Sequence, residues 1–235
     1  MTNELLLIGS LIILYGGVLL WFYLFGTSGL MAFTAFATIA ANIEVMIMVH
    51  AFGMEMTLGN ILFATTFLVT DILSEVAGKK TAQKAVWIGI ATNVLFILVS
   101  QSWLLYIPGQ SDWVTPAIGM VFSNTPRMML SSLAVYIIAQ LFDVWLYHAW
   151  WRFTEQKTGN RRAFLWLRNN GSTLISQMVN TLLFTAFAFW GTYDIPTLIS
   201  IALSSYVIFI FTSLLDTPIV YWARRIYERK PGNIM

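Results

Sequence analysis

Seven stretches of this sequence stay apolar for about twenty residues or more, and no other feature restricts the fold as strongly. They lie near residues 4–25, 30–53, 58–77, 85–106, 127–151, 171–191 and 195–222. An α-helix of roughly 20 apolar residues crosses the hydrocarbon core of a bilayer. Lipid offers no partner to a backbone N–H or C=O, so only helices and closed barrels span it. No ten-residue alternating pattern suggests barrel strands. The sequence therefore predicts an all-α, polytopic membrane bundle of seven helices. Composition agrees: only 10% of the 235 residues are charged and 58% are hydrophobic. A soluble domain carries about a quarter charged residues, and this chain cannot cover itself with a water-facing surface.

The first run follows Glu4, with no basic segment before it and no small-residue cleavage site after it. It is too long for a signal-peptide core and is expected to be retained. Residues 1–28 are taken as an extra N-terminal helix and residues 29–235 as a six-helix core. The basic residues give the orientation. Lys79, Lys80 and Lys84 lie between the third and fourth runs; Arg152, Lys157, Arg161, Arg162 and Arg168 lie between the fifth and sixth; Arg224, Arg225, Arg229 and Lys230 follow the seventh. Twelve of the thirteen basic residues thus share one side, which the positive-inside rule makes cytoplasmic. The N-terminus is then outside and the C-terminus inside. The thirteenth, Arg127, follows Thr125 and Pro126, which look like the start of a helix. A cation in a first turn opposes the helix dipole, so Arg127 needs an acid, a ligand acceptor or a lipid phosphate.

Five acids fall within or at the edge of the runs: Glu44, Asp71, Glu75, Asp143 and Asp216. An ionised carboxylate at the bilayer centre costs about 2.5–3.5 kcal/mol on insertion scales, and no lysine or arginine lies in the middle of a run to offset it. Amides join them at Asn42, Asn93, Gln101, Gln140, Gln177 and Asn180. Asp71 and Glu75 are spaced i,i+4, while Gln140 with Asp143 and Gln177 with Asn180 are spaced i,i+3. Each pair occupies one helix face, and the three faces together predict a small polar pocket in an apolar bundle. Glu75 could instead pair with Lys79 at the interface. Asp216, just before Pro218, could take backbone donors freed by a kink. The amides could be interhelical glue.

Several function classes lack their residues. There is no cysteine, and His50 and His148 form no metal-ligand pattern. No serine–histidine pair at matched depth, His-Glu-x-x-His motif or Gly-rich phosphate loop occurs. Neither catalysis nor a cofactor is expected, and nothing points to nucleic acid.

Three blocks then resemble the queuosine precursor transporters of the vitamin uptake transporter family: "ILFATTFLVTDILSEVAGKKTAQKAVWIG", "TPRMMLSSLAVYIIAQLFDVWLYH" and "LWLRNNGSTLISQMVNTLLFTAFAFWG". The resemblance runs over residues 40–222. It implies a multi-pass inner-membrane importer of 7-deazaguanine bases, with a fold similar to six-helix vitamin-binding S-components and no dedicated ATPase module. The bases concerned are 7-cyano- or 7-aminomethyl-7-deazaguanine, or queuine. It assigns recurrent polar positions to Asn42, Asp71, Arg127, Gln140, Asp143 and Gln177. Asn180 stands where the family usually has aspartate. Glu44, Glu75 and Asp216 are left as coupling or structural groups. Proton coupling is expected through Asp71 and Asp143. Phe67, Tyr136, Phe142 and Phe184 are candidate walls for a flat ring. An alternative is a binding component that needs a separate energising module, docked on the small-residue stripe "AFTAFATIAA"; another is a transporter of a different vitamin-like base. Residues 106–126, broken by prolines yet apolar at "AIGMVF", are expected to form an outer lid.

Overall fold

The computed structural model describes residues 2–123, 126–160 and 162–229; Thr125, Arg161 and Lys230 lie outside them. Seven α-helices and one β-hairpin follow in the order α1 (Asn3–Glu44), β1 (Met48–Ala51), β2 (Met54–Thr57), α2 (Gly59–Ala77), α3 (Lys79–Trp103), α4 (Thr115–Phe122), α5 (Pro126–Thr158), α6 (Leu165–Phe189) and α7 (Ile195–Arg229). Six of these helices are long and apolar enough to cross a membrane.

The first of the six is folded in two. Gly26 leaves the helical region with φ 60° and ψ −145°, a conformation that glycine reaches without a Cβ clash. In a straight helix Trp21 and Phe33 would stand about 18 Å apart along the axis; their ring centroids are 5.7 Å apart. Residues 3–25 and 27–44 are therefore antiparallel arms. Gly29 lets them close, since a Cβ there would lie 2.5 Å from the Trp21 carbonyl oxygen. With both arms counted, the seven apolar runs become seven long helical segments. The expected division at residue 28 falls beside this turn. The first arm nonetheless sends Tyr15, Val18 and Phe22 into the same buried core as Leu68, Val86 and Val220.

The second run departs from expectation at its end. Helix α1 stops at Glu44, and the rest becomes the hairpin, with Met48 opposite Thr57 and His50 opposite Glu55. Phe52 and Gly53 at the bend both have positive φ (54° and 74°), as the two-residue turn that suits strand twist requires. Open strand edges are not tolerated in lipid, and the hairpin sits at one end of the bundle. There Asn3 Nδ2 donates to the His50 carbonyl at 2.9 Å, the Phe52 N–H donates to Glu4 Oε1 at 3.1 Å, and Ser204 Oγ donates to the Glu55 carbonyl at 2.9 Å.

At the opposite end α2 passes into α3 through Gly78 alone (φ 84°), so the glycine ends one helix and Lys79 and Lys80 start the next. The starts of α3 and α6 share this basic end with the ends of α2, α5 and α7.

Two other expectations change. Ala37 and Ala41 of the small-residue stripe are buried in the core, so that face is spent inside the bundle and cannot dock a partner. Helix α4 does not cover the bundle. It leans on α3, where Phe122 meets Phe96 and Trp103 at 6.2 and 5.5 Å and its carbonyl accepts from Gln101 Nε2. Trp113 and Met120 stay exposed. Asp112 accepts the N–H groups of Val114 and Thr115 at the start of α4. These donors and the Thr115 hydroxyl hold its carboxyl below the ordinary value. Phe122 and Ile118 pack with Phe96, Met129 and Ile39, so the segment rests on α1, α3 and α5.

Candidate functional site

The polar side chains fall into three layers along the bundle. Nearest the hairpin end is an open cleft among the end of α1, α2, α5, α6 and α7, about 550 Å³ with the open space at its mouth included. Phe63, Phe184, Phe189 and Phe209 supply aromatic faces, with Phe63 6.4 Å from Phe209 and Phe184 5.6 Å from Phe189. Polar groups come from several elements. Thr57 Oγ1 donates to Asn60 Oδ1 at 3.0 Å, and Asn60 Nδ2 donates to Ser205 Oγ at 3.2 Å. On α6, Asn180 and Thr181 line the opposite wall. Asn180 Nδ2 donates to Gln177 Oε1 at 3.2 Å. The Thr181 hydroxyl and Gln177 Nε2 are buried without a partner.

Beneath the cleft lies a carboxyl layer. Asp71 (α2) and Asp143 (α5) stand side by side, each fully buried. Thr173 Oγ1 donates to Asp71 Oδ2 at 2.9 Å and Ser176 Oγ to Asp143 Oδ1 at 2.7 Å, both from α6. The second oxygen of each carboxyl has no partner. Asp216 (α7) is buried with both oxygens unpartnered; the nearby Tyr15 hydroxyl donates instead to the Thr212 carbonyl at 3.2 Å. No arginine or lysine pairs with any of the three among the described residues. Two adjacent buried carboxylates repel in a poorly screened interior. No group of three metal-ligating acids or histidines is present among the described residues.

The third layer is ionic and lies one turn further toward the basic end. Glu75 is held by Arg168 Nη2 at 2.7 Å, by Arg224 Nη1 at 3.1 Å and by the Tyr147 hydroxyl at 2.9 Å. Arg168 is wholly buried, stacks over Trp151 at 4.3 Å and donates to the Ala163 carbonyl at 2.8 Å. The expected Glu75–Lys79 pair is thus replaced by a cluster from α2, α5, α6 and α7. Arg168 was invisible as a core residue because it follows a run of interfacial basic residues, and only packing turned it inward.

Other expected site residues are tied elsewhere. Gln140 Nε2 donates to Thr66 Oγ1 at 2.6 Å and its Oε1 accepts from Thr70 at 3.2 Å, which joins α5 to α2. Asn42 Nδ2 donates to Asn93 Oδ1 at 2.7 Å and to the Thr38 carbonyl at 2.7 Å. Glu44 ends α1. Arg127 sends Nε to the Phe187 carbonyl at 3.0 Å and Nη2 to the Trp190 carbonyl at 2.6 Å. Its guanidinium therefore satisfies carbonyls at the end of α6, where a cation also complements the dipole. Of the four aromatic candidates only Phe184 lines the cleft. Phe67 and Tyr136 are buried beside Phe63, and Phe142 stacks on Trp145. Sequence reasoning missed Asn60, Phe63, Ser205 and Phe209, since single polar and aromatic residues in apolar runs carry no periodic signal.

The family model described as "Putative vitamin uptake transporter" matches residues 57–223. The chain belongs to that family. This transporter family member is also similar to the Bacillus subtilis (strain 168) protein described as "Probable queuosine precursor transporter", with 39% identity over 209 residues, 89% of each chain. No solved structure matches it. Family and apolar helices together make it a multi-pass protein of the cell membrane. The matched region begins at the last residue of β2 and includes the three buried aspartates, Glu75, Arg168 and most of the cleft, while Ala41, Val45 and Arg224 lie just outside it.

An Arg127→Ala variant of the transporter is expected to lose about 0.5–1.5 kcal/mol of stability, since its hydrogen bonds to the helix-end carbonyls are lost at an exposed position. Arg127→Lys, which has no planar fork, should recover only part of it. Thermal unfolding of the purified variants in detergent is the measurement. Equal midpoints for both variants and the parent would leave Arg127 free to serve a ligand or lipid instead.

Proposed function

We propose that this protein imports queuosine precursors, 7-deazaguanine bases, for salvage into tRNA. The observation that carries the reading is an aromatic-walled cleft with amide and hydroxyl edges, set directly above a carboxyl pair that has no basic partner, in a family whose relative bears the name quoted above. A deazaguanine offers N1–H and its exocyclic amine as donors and O6 as an acceptor on one edge. Asn180, Gln177 and the cleft hydroxyls can both give and accept such bonds, and phenylalanine faces suit the ring. Asp71 and Asp143 couple entry to proton movement, with Asp216 in reserve on α7. Asn42 and Gln140 brace the helices around them, and Arg127 fixes the rim. The basic end faces the cytoplasm, so the cleft opens outward and the Glu75–Arg168–Arg224 layer closes the inner side.

Uptake of labelled 7-cyano-7-deazaguanine by cells that cannot make queuosine, with and without this gene, tests the reading. Gene-dependent uptake that collapses when the proton gradient is dissipated is expected. Uptake only when an ATPase module is co-expressed would favour the binding-component alternative, and no uptake of any deazaguanine would reject the substrate.

A further inference from the structure

Every side chain that lines the cleft is uncharged: among the described residues the walls hold phenylalanines, small aliphatics, two asparagines, threonines and serines, and no acid, base or tyrosine. We propose that the cleft selects neutral flat heterocycles and rejects their ammonium-bearing analogues, with Asn60, Ser205 and Thr181 as specificity residues. The proposal deepens the import reading above and rests on it for the choice of deazaguanine probes.

The wall chemistry sets the preference. Asn60 is fixed at both ends of its amide, accepting from Thr57 at 3.0 Å and donating to Ser205 at 3.2 Å. One amide N–H and the Ser205 O–H remain free to point at a ligand. Thr181 is buried, unpartnered and on the α6 wall. A neutral ring that bonds these groups replaces water with partners of equal polarity. An ammonium group entering the same space sheds its hydration shell and meets no counter-charge. Attraction to phenylalanine faces offsets part of that loss, but phenylalanine is not the strongest aromatic partner for a cation, and a primary ammonium is strongly hydrated. The carboxyl pair does not reach the lining; Asp71 and Asp143 spend one oxygen each on Thr173 and Ser176, below the Gln177–Asn180 pair.

The test is binding to the purified full chain in lipid nanodiscs, by calorimetry, with two neutral–cationic pairs: 7-cyano- against 7-aminomethyl-7-deazaguanine, and riboflavin against thiamine. The expected result is 7-cyano-7-deazaguanine binding at least about tenfold more tightly than the aminomethyl base, since an unpaired charge in an apolar site costs more than one such factor. Thr181→Val, at a hydroxyl with no partner to lose, should weaken the cyano base about tenfold at unchanged thermal midpoint; Asn60→Leu should weaken it about as much and also lower the midpoint, because it breaks the Thr57–Asn60–Ser205 chain. Asn180→Asp, which adds a carboxylate to the wall, should shrink or reverse the ratio; a purely structural amide would leave it unchanged. If neither deazaguanine binds but riboflavin is preferred to thiamine, the queuosine reading fails and the charge rule stands. Equal or tighter binding of the cationic member of a bound pair overturns the rule, as does an unaltered ratio in Asn180→Asp.

Discussion

Asp71→Asn and Asp143→Asn are each expected to reduce uptake to background while the protein still inserts and folds. An asparagine oxygen can accept the hydrogen bond that Thr173 gives Asp71, or the one that Ser176 gives Asp143, so the helix contacts survive. What the amide cannot do is take up and release a proton. The two carboxyls are adjacent and buried together, and they are expected to act as one unit. The double variant should therefore be no worse than either single one, the non-additivity typical of residues acting together. Ligand binding should stay within about threefold of wild type, because a site that keeps its contacts keeps its affinity and neither acid lines the cleft. Uptake at matched membrane abundance, alongside calorimetric binding, separates the steps. Wild-type uptake by either single variant would remove that residue from coupling, and lost binding would make it a ligand contact.

The second large effect is on stability. Arg168→Ala leaves Glu75 buried with only Arg224 and the Tyr147 hydroxyl, and removing one partner of a buried pair costs about 3–5 kcal/mol. Arg168→Lys should recover little, because lysine has neither the fork that reaches Glu75 with Nε on Oε2 at 3.1 Å and Nη2 on Oε1 at 2.8 Å nor a planar face for Trp151. Removing both buried charges, Glu75→Leu with Arg168→Met, should restore most of the loss, since the remaining Arg224 keeps its pair with Glu228 at 3.3 Å. Thermal unfolding midpoints in a fixed detergent decide this. If Arg168→Ala melts with the parent, the ionic layer does not hold the inner end together.

Much of this architecture was legible in the chain. The seven apolar runs correspond to the seven long helical segments because lipid leaves helical hydrogen bonding as the open choice. Glu75 stands one turn beyond Asp71, as i,i+4 spacing on a helix requires. The boundary at Glu44 was not legible, since "VMIMVHAFGMEM" is apolar enough to continue a span; the positive φ at Phe52 and Gly53 turns it into a hairpin. Nor was the partner of Arg127 legible, because the end of α6 is 60 residues away in sequence.

Local chemistry, then, was enough to make this a helical membrane protein, to gather its basic residues at one end and to mark Asp71 and Asp143 as out of place in lipid. Those properties depend on each residue's own solvation and on helical period. Which polar groups meet depended on the tertiary structure. Glu75 chose Arg168 and Arg224 over Lys79, Gln140 went to Thr66 and Thr70, and Asn60 joined a cleft with Ser205 on α7. Buried donors and acceptors must find partners, and which partner lies within 3 Å is decided by how helices distant in sequence pack.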